Sequence, residues 1–209
     1  MRKNQKAESR KPEILENYYK VLIEEGFEGA SIGKIAKRMN IHPSLIIHYF
    51  QSKDNMTIEL VDLLIEKYEA PELLQFDCAE NLEQRFHFLI DTLFSYEWSR
   101  TIDPGIHFGF YYLSFRNPVI RERYEAMIQR FRDYLVHELE IYRSAGIVKV
   151  SDLNKAADLI VTLMEGLEFH AHFLSDGQPF ERFAQTTKQI ILAILKSDFD
   201  STAIDNRGE

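Results

Sequence analysis

The chain has 209 residues, 45% hydrophobic and 28% charged, with a formal net charge of −8. This composition is ordinary for one or two folded domains with a real core, and no run approaches the roughly 18 apolar residues of a membrane span. The lone cysteine, Cys78, can make neither an intramolecular disulfide nor a zinc site by itself, and the N-terminus MRKNQKAESRK is basic without a signal peptide's apolar stretch, so a cytoplasmic protein with no membrane partner is expected. Charge is unevenly spread. Residues 1–60 hold 10 Lys and Arg against 8 Asp and Glu, while the remainder holds 15 against 25. A basic front on an acidic body suits a partner at one end, and equally suits a solvated surface with a basic tip.

In chain order the prolines punctuate helices. Pro12, Pro43, Pro71, Pro104, Pro118 and Pro179 each precede an apolar-periodic or aromatic run, and proline at a first helical position sacrifices no needed N–H. No stretch alternates apolar and polar residues long enough to argue a sheet. The pattern predicts an all-α protein with helices near 11–25, 31–39, 43–50, 54–69, 82–97, 104–115, 118–144, 152–175 and 179–197. Gly26 closes the first helix as a left-handed cap. Ser31, Asp103 and Asn117 stand as N-caps, although position 34 lacks the Glu or Gln of a full capping box. Residues 1–10 read as a flexible basic arm and 198–209 as a disordered polar tail.

Residues 31–50 divide into two short helices around MNIH. Ala36 is small enough for a second helix to cross closely, and Asn40 suits the left-handed backbone of the turn. Ile41, Ile46 and Phe50 point inward. The spacing fits a helix-turn-helix whose second helix enters a DNA major groove, and also fits an αα-corner that only packs. With Ile46 inward, Leu45 and Ile47 lie about 100° to either side. They can meet thymine methyls, although Leu45 can also pack on the preceding helix. Ser44, His48 and Tyr49 can reach bases or phosphates, and Lys53 suits a phosphate.

The stretch ILENYYKVLIEEGFEGASIGKIAKRMNIHPSLIIHYFQSKDNM, residues 14–56, resembles the N-terminal DNA-binding domain of the TetR family of bacterial regulators. The matching features are EEGFEGAS, IGKIAKRMNI and HYFQSKD. The resemblance implies a helix-turn-helix domain over 11–56 and a helical ligand-binding and dimerisation domain over 57–197. It implies a homodimeric, ligand-responsive regulator, most often a repressor, that binds palindromic double-stranded operator DNA and is released by a small-molecule effector. Carried over by position, DNA contacts fall to Ser31, Pro43, Ser44, Leu45, Ile47, His48 and Tyr49, with Lys53 on backbone phosphate. Three positions depart from the family pattern. His42 replaces a small capping residue, Asn40 a usual glycine, and Ile47 a frequent tyrosine whose hydroxyl could hold phosphate.

Further along, Leu153, Ala157, Ile160, Met164, Leu167, Ala171 and Leu174 recur with alternating spacings of four and three, a helix-packing seam. Phe180, Phe183, Thr187, Ile190 and Ile194 form a second face. Two such helices from each of two subunits would make a four-helix interface, as the resemblance also implies. A dimer interface through Ile160, Met164, Leu167, Ala171, Phe183, Ile190 and Ile194 is therefore expected, with an intramolecular core as the alternative use of the same seam. Aromatic residues crowd FHFLIDTLFSYEW and IHFGFYYLSF. A cavity for an apolar or aromatic effector would draw on Trp98, His107, Phe108, Tyr111, Phe115 and His170; a plain core is the other reading.

In EGLEFHAHF, His170 and His172 are two apart and diverge on a helix, which is poor metal-ligand spacing. Glu168 and His172, four apart, share a face and suit a polar pair. No phosphate loop, zinc-protease motif or nucleophile–base set is present, so neither an enzyme, a cofactor nor a metal is expected. The rival to a regulator is a helical protein-interaction module that dimerises through its C-terminal helices without binding specific DNA.

Overall fold

A computed structural model describes residues 10–68 and 79–197. Residues 1–9 of the basic arm, Cys78, Pro71 and the polar tail lie outside the described residues, and Arg10 opens the first helix. The expected all-α architecture is what the structure shows, with no strand among the described residues. We label the helices α1 (Arg10–Gly29), α2 (Ile32–Met39), α3 (Pro43–Phe50), α4 (Lys53–Tyr68), α5 (Leu82–Leu93), α6 (Tyr96–Ser99), α7 (Pro104–Ser114), α8 (Pro118–Ser144), α9 (Leu153–Phe173) and α10 (Phe180–Leu195). The described residues form two compact units, one of 10–68 with 102–127, the other of 79–101 with 128–197.

In the first unit α1 packs on α2, α4 and α7. Its core joins Ile14, Tyr18 and Leu22 of α1 to Ile35, Ile46, Phe50, Met56 and Leu60, and to Ile106, Phe110 and Ile120 from the later segment. Packing thus puts α7 and the start of α8 with the helix-turn-helix, whereas a division at 56/57 puts them with the second domain. The apolar side chains of α7 explain why: Ile106 and Phe110 are buried in this core. A buried polar pair is matched inside this core. Thr57 Oγ1 donates to Lys53 O (2.8 Å), so Tyr18 OH donates to Thr57 Oγ1 (2.8 Å).

Local signals placed most helix ends. Ser31 accepts from Lys34 N, Asp103 from Gly105 N and Ile106 N, and Asn117 from Val119 N and Ile120 N. Gly26 has a positive φ of 69°, but its ψ of 175° is extended, and a further helical turn follows to Gly29. The helix expected over 82–97 is two helices. Ser95 donates to Thr92 O and accepts from Trp98 N, which ends α5 and caps α6.

In the second unit α9 packs on α10, and α5 on both α6 and α10. Arg85 of α5 donates to Glu138 Oε1 of α8 (2.6 Å), and Tyr142 donates to Glu138 Oε2 (2.8 Å). Glu138 is buried, so these two donors supply what water would otherwise provide. Ile160 and Leu167 are also buried within a single copy of the chain. The alternating stripe of α9 turns these two toward the core of their own chain. Met164, Ala171, Phe183 and Ile194 are half-buried and Ile190 is exposed.

Candidate nucleic-acid interface

Helix α2 leads into α3 through Asn40, which takes the left-handed conformation (φ 52°, ψ 46°) and donates its N–H to Lys37 O. Ile41 N–H donates to Ala36 O (3.0 Å), closing the turn. Ile46 and Phe50 then anchor α3 to the core. This leaves Pro43, Ser44, Ile47 and His48 exposed, with Ile47 at 49%. The two apolar neighbours of Ile46 part company: Leu45 is half-buried and Ile47 faces solvent. Tyr49 packs part of its ring on the core, with His48 edge-on to it at 5.5 Å. Ser31 is exposed at the start of α2, its oxygen accepting from Lys34 N and its hydroxyl proton still able to donate.

Lys53 departs from the simple expectation. Its ammonium donates to Phe27 O (2.6 Å) and Ala30 O (2.7 Å), satisfying carbonyls at the end of α1. Only the third of its three protons remains for a phosphate. Two other cations are also partnered by α1, Lys34 with Glu25 and Arg38 with Glu24, each at 2.7 Å. Sequence reasoning missed the role of His42. The imidazole Nδ1 accepts from Ser44 N (3.3 Å) and lies 2.7 Å from Ser44 Oγ, so His42 is itself the cap of α3. The signal was its place directly before Pro43.

The profile of the tetR family of bacterial regulatory proteins matches residues 14–60, and that of the tetracyclin repressor-like C-terminal domain matches residues 80–197. The chain belongs to the TetR family. It is thus a transcriptional regulator with a DNA-binding helix-turn-helix, not an enzyme. Among curated proteins no sequence matches it. A TetR regulator from Haloarcula marismortui has a similar structure, with a TM-score of 0.78 at 19% identity over 90% of this chain and 99% of that one. A candidate regulator from Saccharomonospora viridis, solved with choline, gives 0.77 at 17% identity over 88% and 96%. A TetR regulator from Chloroflexus aurantiacus gives 0.67 at 21% identity over 91% and 96%. At these identities the likeness is one of fold.

For this TetR-family chain the six residues expected around an effector divide between the units. His107, Phe108, Tyr111 and Phe115 are in the first, where Tyr111 and Phe115 meet edge to face (5.2 Å) and are exposed. Trp98 and His170 are in the second. Trp98 stacks on Phe131 (5.9 Å), and His170 lies over Phe183 with ring centroids 3.6 Å apart. His170 Nδ1 is buried and meets no hydrogen-bond partner among the described residues. A groove of about 390 Å³ in the first unit is lined by Glu16, Tyr19, Lys20, Ile23, Leu60, Leu63 and Leu64, none of them among the six. Glu168 pairs with His172 (3.5 Å), as its spacing predicts, and also with Arg100 (3.3 Å). No helix among the described residues is long and apolar enough to cross a membrane.

Proposed function

We propose that the protein is a ligand-responsive repressor that binds a pseudo-palindromic operator as a homodimer and leaves it when a small apolar or aromatic effector binds. The observation that carries the DNA half of this reading is the two-sidedness of α3. Ile46 and Phe50 hold the helix to the core while Ser44, Ile47 and His48 are left outward on a helix only eight residues long. A helix held this way is suited to a major groove, with Ile47 toward thymine methyls and Ser44 and His48 toward polar edges. Ser31, Pro43, Leu45, Tyr49 and the remaining proton of Lys53 complete the surface.

Dimerisation is supported by the outward faces of α9 and α10. Phe169, Phe173 and Ile190 are exposed beside half-buried Met164, Ala171, Phe183 and Ile194. Large apolar groups in such number suit a second copy of the same helices. For the effector, the stacked pair Trp98–Phe131 and the unmatched His170 Nδ1 of the second unit offer apolar surface with a polar atom to orient a ligand. The structural relative solved with choline supports a small-molecule site in this reading. Gel shifts with DNA flanking the protein's own gene test the reading. One slow, saturable complex that survives excess random duplex is expected, and it should dissolve when the effector is added. Equal binding to flanking and random duplexes overturns it in favour of a helical interaction module.

A further inference from the structure

Pro43 starts α3 without an N–H, so the first backbone donor the helix must satisfy is that of Ser44. Its acceptor is His42 Nδ1, at 3.3 Å. A ring nitrogen that accepts carries a lone pair and no hydrogen, so the imidazole proton sits on Nε2. The same Nδ1 lies 2.7 Å from Ser44 Oγ. Two lone pairs do not face one another at that distance, so the hydroxyl hydrogen of Ser44 is aimed at the ring. The one proton Ser44 could offer DNA is therefore used inside the protein. Its oxygen, on an exposed residue, presents only lone pairs outward.

We propose that His42 fixes Ser44 as an acceptor-only reader, so that the base it meets in the major groove carries an exocyclic amino group, adenine or cytosine. The inference rests on the reading of α3 as the DNA-reading helix and names what that helix selects. Adenine N6 and cytosine N4 are the amino donors of the major groove, whereas thymine O4 and guanine O6 and N7 are acceptors that would face the serine lone pairs. Phosphate oxygens are acceptors too, so Ser44 reads bases and does not hold the backbone. A free serine hydroxyl can turn to donate or to accept and discriminates weakly. His42 is the positioning residue that removes this freedom.

The probes are duplexes selected from a random library by the full-length protein, with each half-site position then changed to the other three bases. At one position per half-site the wild type should favour adenine or cytosine over guanine and thymine by about fivefold to tenfold, and Ser44→Ala should erase the preference there. His42→Gly keeps a tolerated N-cap but frees the serine proton, so it should still bind and now admit guanine or thymine. His42→Asn supplies an acceptor oxygen in place of Nδ1 and should restore the preference. A guanine or thymine preference at the Ser44-sensitive position, the lack of any such position, or an unchanged preference in His42→Gly overturns the assignment. If the selection enriches no duplex over random DNA, the DNA-reading role of α3 falls, and this assignment with it.

Discussion

Phe27 lies directly against Gly109. A Cβ at residue 109 would stand 2.2 Å from Phe27 Cε2, a distance no real side chain tolerates. The same phenylalanine meets Phe110 edge to face at 5.3 Å and offers its carbonyl to Lys53. One residue at the end of α1 therefore touches both α7 and the first turn of α4. Alanine ordinarily favours a helix interior over glycine by about 1 kcal/mol. Gly109→Ala should reverse that sign, because the Phe27 ring must move, with a net loss of about 1–3 kcal/mol. Urea unfolding measures it; a stabilised variant would mean that the ring swings away freely.

Lys53→Met keeps the aliphatic stem and removes the ammonium. Two carbonyls at the end of α1 then lose their donor, for a cost of about 1–3 kcal/mol in thermal or urea unfolding. If phosphate binding were its whole role, stability would be unchanged and only the salt dependence of DNA binding would flatten, by a slope of about 1. We expect both effects.

Ile47 is half exposed, so Ile47→Ala should change stability by no more than about 0.5 kcal/mol while weakening operator binding. Replacing the contacted thymine by uracil should weaken wild-type binding by about 1 kcal/mol per methyl. In Ile47→Ala the same replacement should have little effect. Equal sensitivity in both proteins would assign the methyl to another side chain.

The outward and inward apolar residues of the last two helices separate by substitution. Ile190, 47% exposed, should accept Asp without unfolding, and the variant should sediment as a monomer with lost operator affinity. Ile160, at 0%, should not accept it, since an unpaired charge in that core costs several kcal/mol. A dimeric Ile190→Asp would place the subunit contact on another surface.

Stability should fall in alkali. Burial raises the Tyr18 phenol, and Tyr142 is raised by burial, by the hydrogen bond it donates to Glu138 and by that carboxylate's charge. A raised folded value means the native state holds its proton where the unfolded chain has released it. The contribution is intact below the ordinary phenol value of about 10 and is lost as pH climbs past it. Unfolding free energies measured from about pH 8 to 11 should stay level and then drop, and Tyr142→Phe should make the drop shallower. A level profile through the whole range would contradict the buried, protonated state of both phenols.

Much of this was legible because short-range chemistry decides it. Asp103 and Asn117 before prolines, Ser31 before an apolar run and Asn40 in the turn each act on backbone groups two to four residues away. Ser95 escaped notice because a serine within an apolar-periodic run looks the same whether it continues a helix or caps the next. The α9 stripe told that a face is covered but not by what; Ile160 and Leu167 proved to be covered by their own chain. Lys53 read as a phosphate ligand since sequence cannot show that the end of α1 comes back within reach of its ammonium. His42 was visible as a departure from the family, yet its consequence depended on where one ring nitrogen points.

The discontinuity of the first unit bears on how the protein is made. Ile106, Phe110 and Ile120 complete a core that begins at Ile14, so the DNA-binding unit cannot be finished while only its first 69 residues have left the ribosome. At typical synthesis speeds the wait until residue 127 emerges lasts roughly 3–12 s. During that interval the nascent helix-turn-helix exposes the apolar surface that α7 will cover. An N-terminal fragment cut after residue 69 would keep that surface exposed permanently, and should aggregate rather than serve as a free-standing DNA-binding module.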